Sequence, residues 1–123
     1  MKSLKAFVFL ISVSVLVVIA AGAATGASTP AETKKSRSQI SKGRRVYAAN
    51  CARCHGGDGM GKTTMGEMTE APNLSDAEWQ SRRSTSRMVA SVANGRGQMP
   101  AFKKKLSKQD IAATIAYIRT LKR

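Results

Sequence analysis

The sequence predicts an all-α domain, and three observations carry that prediction. Apolar residues recur at helical spacing in segments 39–50, 85–93 and 107–121. Two of these segments follow a serine suited to cap a helix, Ser84 and Ser107, and Gly95 stands just past the end of the middle one. No run alternates apolar and polar residues with the period of two that a half-buried strand requires, and no internal repeat occurs.

Taken in order, Ile40, Gly43, Val46 and Tyr47 lie on one face of the first predicted helix, which leads directly into Cys51. Residues 56–66 hold five of the chain's ten glycines, a density that breaks helix and lets backbone approach another surface closely. Pro72 and the Asn73-Leu74-Ser75-Asp76 stretch predict a turn. In the second helix Met88, Val89 and Val92 form the apolar face. The last helix begins at Ser107, where Ser107-x-x-Asp110 is a capping box with Asp in place of Glu, and Ile111, Ile115 and Ile118 form its buried stripe.

The amino-terminal region is of another kind. Lys2 and Lys5 precede an apolar run from Ala6 to Ala21, and small residues follow through Ala27. Residues 1–27 therefore read as a secretory signal peptide, cleaved after Ala23 or Ala27, or as an amino-terminal membrane anchor if retained. Either arrangement carries the rest of the chain out of the cytoplasm, to the periplasm or an equivalent compartment. Residues 28–38 read as a polar linker with too little apolar surface to fold, leaving a domain over 39–123.

Composition narrows the class. The chain has 123 residues, 21 Lys and Arg against 7 Asp and Glu, and a formal charge of +14; without Lys2 and Lys5 the remainder is still +12. A domain this small has a marginal core, and only 5% of its residues are aromatic. Its two cysteines allow at most one disulfide, so a metal or cofactor is the expected filler. A Rossmann unit, a kinase or a TIM barrel would not fit.

Cys51-Ala52-Arg53-Cys54-His55 is the C-x-x-C-H signature of covalent c-type haem attachment. Two cysteines three apart at a helix end face the same side, so both sulfurs reach the two vinyl groups of one porphyrin. The next residue then aims an imidazole at the iron, and His55 is the only histidine in the chain. The competing readings are weaker. A thioredoxin-like pair wants a βαβ context, structural zinc wants four Cys or His ligands where the chain has three, and a lone disulfide leaves His55 and the glycine loop without a role.

At these residues the chain resembles the class I cytochrome c family of small monohaem electron carriers, over roughly residues 39–121. Gly43, Tyr47 and Cys51 to Gly56 look like the family's first helix and haem-binding turn, Ala71 to Leu74 like its proline segment, Gly97 to Phe102 like its distal-ligand loop, and Ala116 to Arg119 like its last helix. The resemblance implies three to four helices wrapped round one covalently bound haem c, with the first and last helices crossing where Gly43 meets Tyr117. Thr114 departs from the larger aliphatic residue often found at that crossing.

His55 is the expected proximal iron ligand. For the distal one, Met60, Met65 and Met68 follow His55 too closely, and Met88 fits a helix's apolar face. Met99, 44 residues on and between Gly97 and Pro100, suits by position, by loop chemistry and by resemblance; the other reading makes it a core gap-filler. By resemblance, the Pro72 carbonyl accepts a hydrogen bond from His55 Nδ1–H, and Trp79 either reaches a haem propionate or covers the core. A His/Met pair raises the reduction potential and leaves no open position for substrate, so the expected protein is an electron carrier and not an enzyme.

Arg53, Arg96, Lys103, Lys104 and Lys105 flank the haem-linked segments and are expected to steer a monomeric carrier onto redox proteins with acidic docking patches. The same charge would attract an anionic membrane surface, whereas export keeps it from nucleic acid. Two other readings stand beside the exported carrier: a haem peroxidase or ligand-sensing protein with an open distal site, and a membrane-tethered cytochrome c subunit of a larger oxidoreductase complex.

Overall fold

The computed structural model describes residues 29–123, so the predicted signal peptide or anchor lies outside the described residues. Those residues form six helices and no strand: α1 Pro30–Asn50, α2 Ala52–His55, α3 Thr64–Met68, α4 Ala77–Ser81, α5 Thr85–Asn94 and α6 Lys108–Thr120. None of them is long and apolar enough to cross a membrane.

Helix α1 begins nine residues before the sequence-based boundary at 39, so residues 30–38 of the expected polar linker are helical. The physical reason is local. Thr29 accepts from the Glu32 amide at 3.3 Å while the Glu32 carboxylate accepts from the Thr29 amide at 3.0 Å, and Pro30 occupies the first turn. Lys34, Lys35 and Arg37 then continue with good helix formers that need no apolar partner. The segment buries little, as its composition requires.

The principal helix pair is α1 with α6. They cross at Gly43, where a Cβ would stand 1.9 Å from the Ala113 carbonyl oxygen and 3.0 Å from Tyr117 Cβ; only a glycine allows that approach. Tyr47 and Tyr117 meet edge to face one turn further along, with ring centroids 5.3 Å apart. Thr114 is fully buried, and its hydroxyl donates to the Asp110 carbonyl at 2.8 Å. Tyr47, Cys51, Leu74, Met88, Val92, Ile111, Ile115 and Ile118 form one core cluster. Met88 thus lies in the core, as its helix face predicts.

Helix α5 is capped by Ser84 and stopped at Gly95, and α6 carries the Ser107/Asp110 box, with the Asp110 carboxylate also held by Lys42 at 2.8 Å. The turn expected after Pro72 is present at Leu74–Ser75; the short helix α4 follows it, and α3 starts within the last residues of the expected glycine loop. Thr63 caps the first through the Gly66 amide at 2.8 Å, and Asp76 caps the second through the Trp79 amide at 2.6 Å.

Candidate haem site

Cys51, Cys54 and His55 occupy one turn at the α1–α2 junction. The amide of Cys51 closes α1 onto the Tyr47 carbonyl at 2.8 Å, and the His55 amide bonds the Cys51 carbonyl at 3.0 Å, so Cys51, Cys54 and His55 share one hydrogen-bonded turn. The two cysteines are not joined in a disulfide; Cys51 is buried and Cys54 half-buried. Burial, with Cys54 beside it, pushes the Cys51 thiol up to about 11, so it is neutral at pH 7. Gly56 then leaves the helix, and its carbonyl accepts from the buried Tyr47 hydroxyl at 2.7 Å.

His55 is 8% exposed, and burial lowers its pKa against the opposing pull of the Pro72 carbonyl. Its Nδ1 lies 3.3 Å from the Pro72 oxygen. A carbonyl can only accept, so this contact places the imidazole proton on Nδ1 and leaves the Nε2 lone pair free. Nε2 has no hydrogen-bond partner among the described residues.

The glycine-rich loop laces this side together with backbone. Gly61 donates to the His55 carbonyl at 2.8 Å, Leu74 to the Gly59 carbonyl at 2.6 Å and Ala71 to the Gly66 carbonyl at 2.8 Å. A Cβ on Gly66 would stand 2.2 Å from the Gly61 oxygen and 2.3 Å from the Cys54 oxygen, so this contact exists only because the side chain is absent. Met60 and Met65 are half-buried in this region and Met68 is 69% exposed.

Met99 sits in the connection between α5 and α6. Arg96 and Met99 exchange both backbone hydrogen bonds at 3.0 Å around Gly97-Gln98, with Gly97 at φ +57° in the first central position of a two-residue turn. Phe102 and Lys103 then donate to the carbonyls of Val92 and Ala93 at 3.0 and 3.1 Å, which clamps the loop to the end of α5. The Met99 side chain is half-buried and packs against the core cluster.

The other singled-out residues are distributed as follows. Trp79 packs against the core with the Arg83 guanidinium 5.2 Å over its ring. Arg53, Arg96, Lys103, Lys104 and Lys105 are all exposed, and none makes an ion pair with a carboxylate among the described residues. Reading the sequence missed Gln80. This glutamine is 2% exposed and donates from Nε2 to the carbonyls of Leu74 at 2.8 Å and Ile118 at 2.9 Å. The Arg119 guanidinium holds the Gln80 and Arg83 carbonyls beside it.

The donor set fits haem c: two thiols in one turn, a neutral imidazole with a free Nε2, and a thioether on a loop seated against the core. Over residues 38–118 the sequence matches the family described as cytochrome C oxidase, cbb3-type, subunit III. The chain belongs to this family of class I c-type cytochromes. Haem c is the cofactor of this cytochrome, and its helical architecture is the cytochrome c fold.

Among similar proteins, the cbb3-type cytochrome c oxidase subunit FixP of Azorhizobium caulinodans is 40% identical over 81 residues, which is 65% of this cytochrome and 26% of that protein. Cytochrome c6 of Synechocystis sp. is 32% identical over 79 residues, 64% of this cytochrome and 62% of that one. The solved structure of the KustC0563 c-type cytochrome superposes with a TM-score of 0.63 at 34% identity, covering 66% of this chain and 98% of that one. This cytochrome therefore spans about a quarter of the oxidase subunit it matches.

Proposed function

We propose that this cytochrome is exported and carries single electrons between redox proteins of a respiratory or similar chain. The observation that carries the reading is the His55 arrangement: an imidazole oriented by the Pro72 carbonyl, its Nε2 free, on the turn that presents Cys51 and Cys54. Bound haem supplies a one-electron iron couple. Cys51 and Cys54 would hold it through thioether bonds, with His55 Nε2 as the proximal iron ligand and Met99 as the distal one. The Pro72 carbonyl raises the basicity of the imidazole by drawing on the Nδ1 proton. The Met99 thioether would favour the reduced state, and iron held by both His55 and Met99 would offer substrate no place to bind, so the reading is a carrier and not an enzyme. Trp79 is assigned to covering the core, with its indole available to a propionate.

Exposed Arg53, Arg96 and Lys103 to Lys105 form the docking surface of a monomeric carrier, complementary to acidic patches on the partner. A second reading, a tethered cytochrome subunit of a larger oxidase, is favoured by the names of the FixP relatives and by the apolar run at 6–27. Two measurements on the purified native protein test the proposal. Haem staining after denaturing electrophoresis is expected to be positive and to vanish in a Cys51→Ala/Cys54→Ala variant; a negative native band overturns the covalent assignment. Mass spectrometry separates carrier from tethered subunit, because a mass that includes residues 1–27 excludes free diffusion.

A further inference from the structure

The Pro72 carbonyl orients His55, which raises the question of what holds Pro72. The residue itself is exposed and has no side-chain donor to anchor it. Upstream, its segment is fixed by the glycine loop through the Ala71 amide, which donates to the Gly66 carbonyl. Two residues downstream, the Leu74 amide reaches Gly59, and the Leu74 carbonyl has one partner among the described residues, Gln80 Nε2 at 2.8 Å. The second proton on Nε2 goes to the Ile118 carbonyl of α6 at 2.9 Å. Gln80 thus ties the proline segment to the carboxyl-terminal helix, and Arg119 on that helix grips the Gln80 backbone carbonyl at 2.7 Å.

The orientation of this amide is determined. Turning it over would point Oε1 at two carbonyl oxygens. As it stands, Oε1 is buried with no partner, a cost that an apolar side chain of equal size would avoid. A glutamine held at 2% exposure despite that cost is retained for its donors. The consequence of losing them falls first on Leu74 and, through two residues of backbone, on the 3.3 Å contact between Pro72 and His55.

We propose that Gln80 is a positioning residue for the proximal ligand: by pinning the Leu74 carbonyl to α6 it sets the strength of the His55–Pro72 hydrogen bond, and with it the iron's reduction potential. This rests on His55 being the proximal ligand. A weaker hydrogen bond makes the imidazole a poorer donor, stabilises ferric iron less and raises the potential.

The test uses the haem-loaded protein and three readouts: reduction potential, exchange of the His55 Nδ1 proton with solvent by NMR, and thermal stability. Gln80→Met keeps the volume and removes both donors. It is expected to raise the potential and speed Nδ1 proton exchange, whereas Ile115→Val, which loosens the same core but leaves the Leu74 carbonyl its bond from Gln80, lowers stability and leaves both unchanged. Equal shifts in the two variants, or a Gln80→Met variant with native potential and exchange, overturn the proposal. Should Gln80→Met yield no haem-loaded protein, native-state exchange of the unaltered protein decides: the Gln80 side-chain amide and the His55 Nδ1 proton are expected to exchange through one common opening. Exchange at His55 while the Gln80 amide stays protected refutes the link. A His55 whose spectrum shows it unbound to iron contradicts the ligand assignment instead, a separate outcome.

Discussion

Two stretches that follow Cys51–His55 in the chain are built on opposite plans. Residues 58–78 hold Asp58, Glu67, Glu70, Asp76 and Glu78 with Lys62 as the lone base, and they wrap His55 in backbone hydrogen bonds. Residues 82–105 hold Arg82, Arg83, Arg87, Arg96, Lys103, Lys104 and Lys105 with no acid, and they present Met99 on a short turn among exposed cations. The first stretch holds His55 through its backbone, and the second carries most of the cations proposed above as a docking surface. Their difference shows that the net positive charge is not spread evenly. A charge separation of this kind orients an approaching partner as well as attracting it.

The largest expected effect breaks the immobile side. Gly66→Ala puts a Cβ into the carbonyls of Gly61 and Cys54, and since both are backbone the loop has to open. A loss of about 3 kcal/mol or more is expected, read by denaturant unfolding of the haem-loaded protein. Tyr47→Phe is a milder break on the same side. It leaves the Gly56 carbonyl buried without its donor and is expected to cost about 1–3 kcal/mol.

On the basic side, replacing Lys103, Lys104 and Lys105 with Ala is expected to leave the fold intact. It should slow electron transfer to an acidic partner by about tenfold at low salt, with the difference closing as salt screens it. A flat salt response in the native protein would remove steering from the account. The smallest effect lies away from both sides, at the α1–α6 pair. Lys42 and Ser107 hold Asp110 at about 2, below its ordinary value of 3.8. A depressed carboxylate adds stability above its unfolded pKa and loses it as pH falls toward the folded one, so Asp110→Asn is expected to flatten the stability decline between about pH 4 and pH 2. Thermal melts across that range check it.

Where the sequence was legible, the reason is local and periodic. The spacing of Ile111, Ile115 and Ile118, and the Ser84, Gly95 and Ser107 boundaries, describe α5 and α6 to within a residue or so. Helix α1 was read short because apolar spacing is silent over Thr29 to Ser38, where capping and propensity alone decide. One-turn helices such as α3 and α4 show no period at all, being set by the caps of Thr63 and Asp76 and by what packs on them. At the site, Cys51, Cys54 and His55 announce themselves by spacing. Gln80 does not, because a lone glutamine reads as surface until the carbonyls of Leu74 and Ile118, far apart in sequence, are seen to converge on it.

The central claim is that His55 and Met99 close both axial positions of the haem iron. Carbon monoxide added to the ferrous native protein at neutral pH, followed optically, tests it most directly. The account predicts an unchanged spectrum in the native protein and rapid binding in Met99→Ala, whose reduction potential also falls. Rapid, tight binding by the native protein would contradict it and place a ligand-binding haem where a carrier is proposed.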